Sequence, residues 1–247
     1  MYLLLSGEDP GDIGACYPTA DSCDRPTFAE GPMAIIVDQL VEFFQGYEMS
    51  HLETERISFV SEAFLAANKQ APKRKAMSLK GKKRPPETKY YFENARAIAA
   101  AAKAKCEEVN DQVVAVLFRD SDGTASAGRG NWHDKRNSMI AGFKAEAFAL
   151  GVAMMPKPKS EAWLLCATKQ HPYQHCAALE EESGNDRAEN SLKEQLGASL
   201  GGNTSVNAIN ALVNTGTIDA SQIDMPSFNH FKADLQHAVA LATGVKA

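Results

Sequence analysis

The sequence lacks any long apolar run, and this absence excludes one large class of proteins. No stretch approaches the roughly 20 consecutive apolar residues that a membrane-spanning helix requires. The first eight residues contain no lysine or arginine and already end in an acid, so they lack the basic start of a secretory signal peptide. The sequence therefore predicts a soluble, cytoplasmic protein without a membrane partner.

Cysteine is scarce, and the few cysteines that occur follow no recognisable spacing. The chain has five of them: Cys16, Cys23, Cys106, Cys166 and Cys176. An odd number at irregular intervals argues against a disulfide framework and is typical of proteins in a reducing compartment. The intervals between these cysteines and the nearby histidines also match no familiar zinc module. We therefore expect neither a disulfide framework nor a structural zinc site.

Apolar segments are nevertheless numerous enough for a packed core, since hydrophobic residues make up 44% of the 247 residues. Strand-like segments occur at residues 1–7, 56–61, 113–118 and 152–155. They alternate with helical patterns at residues 33–47, 88–109 and 133–150. This order predicts an α/β fold with a mostly parallel sheet flanked by helices. We expect a core over residues 1–167 and a C-terminal helical region over residues 168–247.

Charge is distributed very unevenly along the chain. From Lys69 to Lys89 there are nine basic residues and one acid, whereas the rest of the chain has 17 basic and 30 acidic residues. Three prolines in this segment predict a loop. Clustered basic side chains bind nucleic acids through counterion release. The sequence therefore predicts a nucleic-acid-binding loop that uses Lys73, Arg74, Lys75, Lys80, Lys82, Lys83 and Arg84.

Acidic residues follow two of the predicted strands. Glu8 and Asp12 come after the first strand, and Asp120 and Asp122 come after the buried strand at 113–118. Because parallel strands end at the same edge of a sheet, we expect these carboxylates to lie close together. Clustered carboxylates repel one another unless a cation neutralises them, and Mg²⁺ or Mn²⁺ prefers oxygen ligands. The pattern predicts a divalent-metal site.

These motifs resemble the Toprim domain, the metal-binding α/β fold of topoisomerases, bacterial primases and OLD-family nucleases. In that family a glutamate ends the first strand and an Asp-x-Asp pair ends a later one, as at Glu8 and at Asp120-Ser121-Asp122. Small stand-alone Toprim-like proteins are similar in having a second acid four residues after the first, here Asp12. The usual glycine and threonine between those acids are Asp9 and Gly11 in this chain.

A later segment resembles the same stand-alone proteins. Residues 161–165 read Glu-Ala-Trp-Leu-Leu, which follows the last core strand in those proteins, and residues 226–231 look like their closing helix. The acid that often follows the first of these segments is absent, since Cys166 and Ala167 stand there. The resemblance therefore extends over residues 1–167 and, more weakly, over most of the remainder.

The resemblance implies a metal-dependent nuclease that uses two Mg²⁺ or Mn²⁺ ions. It assigns one ion to Glu8, Asp120 and Asp122, and the other to Asp12 and Glu161. Lys157 or Lys159 would stabilise the charged phosphorus in the transition state. The implied substrate is nucleic acid, DNA more than RNA. A role in bacterial defence against phage or plasmids is also implied. The partner in that role would be a separate ATPase subunit, since this chain itself contains no ATP-binding loop.

Two other interpretations of the same residues stay open. Asp120-Ser121-Asp122-Gly123-Thr124 also matches the motif of haloacid-dehalogenase-type phosphatases, in which Asp120 would be the nucleophile and Asp122 the general acid/base. That motif normally opens the chain, however, and it needs a later acidic motif after a strand, which we do not find. The third interpretation is a non-catalytic module that binds nucleic acid or a partner with the same acids and basic loop.

Overall fold

The structure, a computed structural model, describes residues 1–71, 86–121 and 131–244. It confirms the predicted α/β class, with a mostly parallel central sheet flanked by helices and a C-terminal helical region. The strands in the described ranges are β1 (Tyr2–Ser6), β2 (Gly14–Cys16), β3 (Ser22–Asp24), β4 (Phe28–Glu30), β5 (Ile57–Val60), β6 (Val113–Phe118) and β7 (Gly151–Met154).

The α-helices of the same ranges cover the sheet and build the C-terminal region. They are α1 (Pro32–Gln45), α2 (Glu62–Ala67), α3 (Pro86–Val109), α4 (Trp132–Ala145), α5 (Ser160–Thr168), α6 (Leu192–Ser199), α7 (Val206–Asn214) and α8 (Pro226–Thr243). Two short 3₁₀ helices, Cys176–Glu181 and Ala220–Gln222, lie in the C-terminal region. None of the helices described here is both long enough and apolar enough to span a bilayer.

The central sheet has the strand order β3-β5-β1-β6-β7, and its last four strands run parallel. β3 is antiparallel to β5 at one edge, and β2 and β4 form a separate antiparallel pair. From β1 the chain goes to β5 on one side and later to β6 on the other. Strand order therefore reverses between β1 and β6, which is where an open α/β sheet forms a ligand crevice at its carboxyl ends.

The two strands beside this crevice are entirely buried, as their unbroken apolar sequences predict. Every residue of β1 and of β6 is buried, because helices cover both faces of the sheet. Their register pairs Ser6 with Leu117. Glu8 and Asp120 therefore follow neighbouring strands and lie at similar levels along the strand direction.

Trp163 of α5 packs against the C-terminal region. Its side chain is fully buried, and its ring centroid lies 4.7 Å from that of Phe228 and 5.8 Å from that of Phe231, both on α8. The indole Nε1 donates a hydrogen bond of 2.8 Å to Ser227 Oγ. The position of α5, and of the residues at its start, therefore depends on this aromatic contact.

The prediction that the cysteines form no disulfide framework is wrong. Cys16 is bonded to Cys23, and Cys166 to Cys176. Although the cysteines are seven and ten residues apart in sequence, their Cα atoms are 5.8 Å and 5.2 Å apart because the intervening chain folds back at both places. The free thiol belongs to Cys106.

One helix boundary and three short strands also differ from the prediction. The helix expected over residues 133–150 ends at Ala145, where the Glu146 N–H closes the last turn and Ala147 takes a positive φ of 49°. The short strands β2, β3 and β4 were not predicted at all. Each has only three residues, too few to give a readable alternation of apolar and polar side chains.

Candidate metal centre

Glu8 lies just beyond the carboxyl end of β1, directly after Gly7. A Cβ atom at Gly7 would come within 2.7 Å of Ile13 and 3.1 Å of Phe118, two fully buried side chains. The position therefore requires glycine. The close packing holds Gly7 against the end of β6, so Glu8 comes to lie next to the residues that follow that strand.

Glu8 is bound through both of its carboxylate oxygens. Oε1 accepts a hydrogen bond of 3.1 Å from the backbone N–H of Asp120, and Oε2 forms an ion pair of 2.8 Å with Arg119. These contacts join the ends of β1 and β6 directly. Glu8 and Asp120, which are 112 positions apart in sequence, are neighbours in the fold.

Ser160, the first residue of α5, connects the remaining acids. Its N–H donates a hydrogen bond of 3.0 Å to Asp120 Oδ1, and its hydroxyl donates one of 2.7 Å to Asp12 Oδ1. The hydroxyl also lies 3.4 Å from Glu161 Oε2. The structure therefore brings together four partly buried carboxylates, which we call the acidic cluster: Glu8, Asp12, Asp120 and Glu161.

This arrangement raises the pKa values of two of the carboxyl groups. Burial raises the pKa of Asp12 to about 7, and the negative charges of Glu161, Asp9 and Glu8 add to that rise. Burial also raises the pKa of Asp120 well above its usual range, again helped by the neighbouring carboxylates. Partly buried acids of like charge are a common property of functional sites.

Arg119 is a neighbour of the acidic cluster that sequence analysis did not identify. Its guanidinium is paired with Glu8 and with Glu62 at the start of α2, and it lies over the ring of Tyr90 at 4.5 Å. The Tyr90 hydroxyl accepts a hydrogen bond from Arg119 and donates one to Glu62. Arg119 thus supplies the positive charge nearest to Glu8. The only sequence signal was its position beside Asp120.

The loop that carries Asp120 is held from two sides. Ser121 donates from its N–H and its hydroxyl to the carbonyl of Pro158, at 3.2 Å and 3.1 Å. The buried ammonium of Lys135 donates a hydrogen bond of 2.6 Å to the carbonyl of Ser121. These contacts place Asp120 beside the start of α5. Ser160 and Lys135 were also missed, because neither residue type in isolation signals a site.

The two lysines predicted to stabilise a phosphate lie at the start of α5 but are paired with other acids. Lys157 forms an ion pair of 2.8 Å with Glu181, and Lys159 forms one of 2.8 Å with Asp186. Burial would lower the pKa of Lys159, but the hydrogen bond to Asp186 and the nearby cluster charges outweigh it and raise the pKa. Lys159 is therefore the lysine that interacts with the acidic cluster.

Several predicted site residues lie outside the described residues. Asp122 is one of them. The predicted nucleic-acid-binding residues also lie there, namely Lys73, Arg74, Lys75, Lys80, Lys82, Lys83 and Arg84. At the two margins of the basic segment, Lys69 and Lys89 are each paired with Glu93, at 3.5 Å and 3.4 Å.

The acidic cluster has the ligand chemistry that a hard divalent cation requires, because it offers only carboxylate oxygens and two of its acids have raised pKa values. In residues 1–71, 86–121 and 131–244, however, no group of three or more histidine, cysteine or acidic side chains is arranged to hold a metal ion. Ser160 and Arg119 already bind the carboxylates of Asp12 and Glu8. A bound cation would have to replace some of these contacts.

The raised pKa values make the stability of the metal-free protein depend on pH. An unfolded aspartate has a pKa near 3.9, so the folded state binds more protons than the unfolded state between about pH 4 and 7, and unfolding becomes easier as the pH rises through about 7. We expect a melting temperature several degrees higher at pH 5.5 than at pH 8 in chelator. Scanning calorimetry measures it. Asp12→Asn should shrink the difference, and an equal melting temperature at both pH values would contradict the assignment.

The chain was compared with protein-family models, with curated proteins and with solved structures. These comparisons found no match. The functional assignment therefore depends on the residues and geometry of the acidic cluster.

Proposed function

We propose that this protein is a divalent-metal-dependent nuclease that hydrolyses phosphodiester bonds in nucleic acid. The observation that carries the proposal is the convergence on Ser160 of carboxylates from distant parts of the chain, at 2.7 Å from Asp12 and 3.0 Å from Asp120. Glu8 joins them through the Asp120 N–H. Acids collected at the reversal of strand order in a parallel sheet, with raised pKa values, are typical of a catalytic centre rather than of helix caps.

Mg²⁺ or Mn²⁺, when two ions are bound, supplies a clamp on the attacking and leaving oxygens of an in-line displacement. Glu8, Asp120 and Asp122 would hold one ion, and Asp12 and Glu161 the other. Within the chain, hydrogen bonds to Ser160 fix the Asp12 and Asp120 carboxylates before substrate arrives. Such preorganisation lowers the reorganisation needed during reaction.

Positive charge near the cluster supports binding of a phosphate. Lys159 has a raised pKa and is therefore cationic at neutral pH. Arg119 neutralises part of the charge of Glu8. The basic segment beyond Lys69 would add affinity for the nucleic-acid backbone that does not depend on sequence. DNA as the preferred substrate, a role in defence and a separate ATPase subunit belong to the proposal through the Toprim resemblance.

The test is incubation of the purified protein with labelled single- and double-stranded DNA and RNA, in Mg²⁺, in Mn²⁺ and in chelator. We expect cleavage of at least one nucleic acid with either metal and none in chelator. Cleavage that continues in chelator would contradict metal dependence. Metal binding without cleavage of any substrate would favour the non-catalytic module.

The same protein preparation distinguishes the nuclease interpretation from the phosphatase interpretation. A haloacid-dehalogenase-type enzyme would hydrolyse a small phosphomonoester such as p-nitrophenyl phosphate and would form an aspartyl-phosphate at Asp120. The sequence also lacks the later acidic motif after a strand that this class of phosphatase needs. We therefore expect no turnover of the monoester under conditions in which nucleic acid is cleaved.

A further inference from the structure

A cavity of about 350 Å³ opens beside Glu8, on the side of the crevice toward β5. Its walls come from the turn after β1, the loop between β2 and β3, and the turn between β5 and α2. The residues that define its chemistry are Gly7, Glu8, Tyr17, Thr19, Phe59 and Glu62. Glu8 belongs to both, so the cavity adjoins the acidic cluster.

Tyr17 is the unusual member of this lining. Its side chain is 65% exposed, although it stands directly after the buried Cys16. The backbone around it is firmly held, since the Tyr17 N–H donates a hydrogen bond of 2.8 Å to the Thr27 carbonyl and Cys16 is bonded to Cys23. Tyr17 is therefore an exposed aromatic ring on an anchored backbone, at the edge of a cavity that leads to Glu8.

One apolar part of the cavity lining comes from β5. Phe59 of β5 is 5% exposed and stacks on Phe28 with ring centroids 5.5 Å apart and planes inclined by 10°. Two acids, Glu8 and Glu62, also line the cavity, and both are paired with Arg119. An aromatic and an apolar side chain in the same lining favour a planar ring as the ligand.

The volume of the cavity limits the size of the ring system that it can hold. Pockets for small ligands span about 300–1,000 Å³, and this cavity lies near the lower end of that range. This volume is sufficient for one nucleobase, and a base can enter a pocket only when it is not stacked and paired within a duplex. Stacking on an aromatic side chain is available to every base, because every base has a π-face.

We propose that this cavity receives one unpaired nucleobase, stacked on Tyr17, adjacent to the phosphate that is presented to the acidic cluster. The inference rests on the proposed nuclease function and narrows its substrate to single-stranded nucleic acid, or to a strand with an unpaired base at the cut. Binding of the phosphate at the acidic cluster and of the base in the cavity would together determine which nucleotide of the nucleic-acid strand lies at the cluster.

The test uses short single-stranded DNA that carries 2-aminopurine at successive positions, with Ca²⁺ replacing Mg²⁺ to allow binding without cleavage. We expect fluorescence quenching at one position, and weaker binding when that position is abasic. Tyr17→Ala should weaken binding about 5- to 100-fold, whereas Tyr17→Phe keeps the ring and should bind like the wild type. Tyr47→Ala is the matched control, because Tyr47 is a 52% exposed tyrosine outside the cavity.

Failure of this inference is distinguishable from failure of the nuclease proposal. Equal binding by Tyr17→Ala and the wild type, or equal affinity for single strands and blunt duplexes, would overturn the cavity assignment. Metal-dependent cleavage would then still support the nuclease. Mn²⁺ binding measured on Tyr17→Ala should equal that of the wild type, because the substitution leaves the acidic cluster unchanged.

Discussion

Replacing Asp120 with asparagine is expected to abolish metal-dependent cleavage and, at the same time, to stabilise the metal-free protein. The substitution removes a ligand charge, and the loss of activity should be on the order of 10³-fold or more. It also removes a carboxylate whose pKa is raised by burial and by its neighbours, so less repulsion remains in the fold. Opposite effects on activity and stability are typical of catalytic clusters.

The two effects are measured by cleavage rates in Mn²⁺ and by melting temperature in chelator. Asp224→Asn is the matched control, since Asp224 is an exposed aspartate outside the acidic cluster that accepts a hydrogen bond from Asn229. It should change neither quantity appreciably. An Asp120→Asn protein that retains cleavage, or that melts at a lower temperature in chelator than the wild type, would be incompatible with the assigned role.

Replacing Trp163 with alanine is expected to cause a large loss of stability. The side chain is fully buried between α5 and α8, and truncation of a buried tryptophan costs about 3–5 kcal/mol. It also leaves the Ser227 hydroxyl without its indole donor. For a chain of this length each kcal/mol lowers the melting temperature by roughly 2–4 °C, so we expect a fall of about 6–20 °C.

Urea unfolding gives the free energy directly, and the second tryptophan supplies the control. Trp132 is partly exposed and donates its Nε1 hydrogen bond, 2.9 Å long, to the Met155 carbonyl. Trp132→Ala should therefore cost clearly less than Trp163→Ala. If the two variants lose equal stability, the aromatic contact between α5 and α8 does not hold the start of α5 in place as we infer.

The parallel sheet was predictable because its strands are buried on both faces. The unbroken apolar run of β6 and the apolar start of the chain indicate such strands without any alternation, and the acids that follow them indicate the carboxyl edge. The proximity of Glu8 and Asp120 follows from the neighbouring positions of their strands. Local sequence therefore carries the information for this half of the cluster.

Other features depend on contacts between distant residues and could not be predicted. Ser160 has no motif of its own, and its role appears only when α5 begins beside the ends of β1 and β6. Arg119 gains its partner Glu62 from the start of α2, 57 positions earlier in the chain. The disulfides likewise require cysteines that short strands and a 3₁₀ helix bring together.

The measurement that tests the account most directly is calorimetric titration of the chelator-treated protein with Mn²⁺ at pH 8 and at pH 6. We predict saturable binding that is tighter at pH 8, because protons must leave Asp12 and Asp120 before the ion binds. An Asp12→Asn/Asp120→Asn double variant should bind no Mn²⁺ at the cluster. Absence of binding by the wild type at both pH values, or unchanged binding by the double variant, would contradict the claim that the acidic cluster is a metal centre.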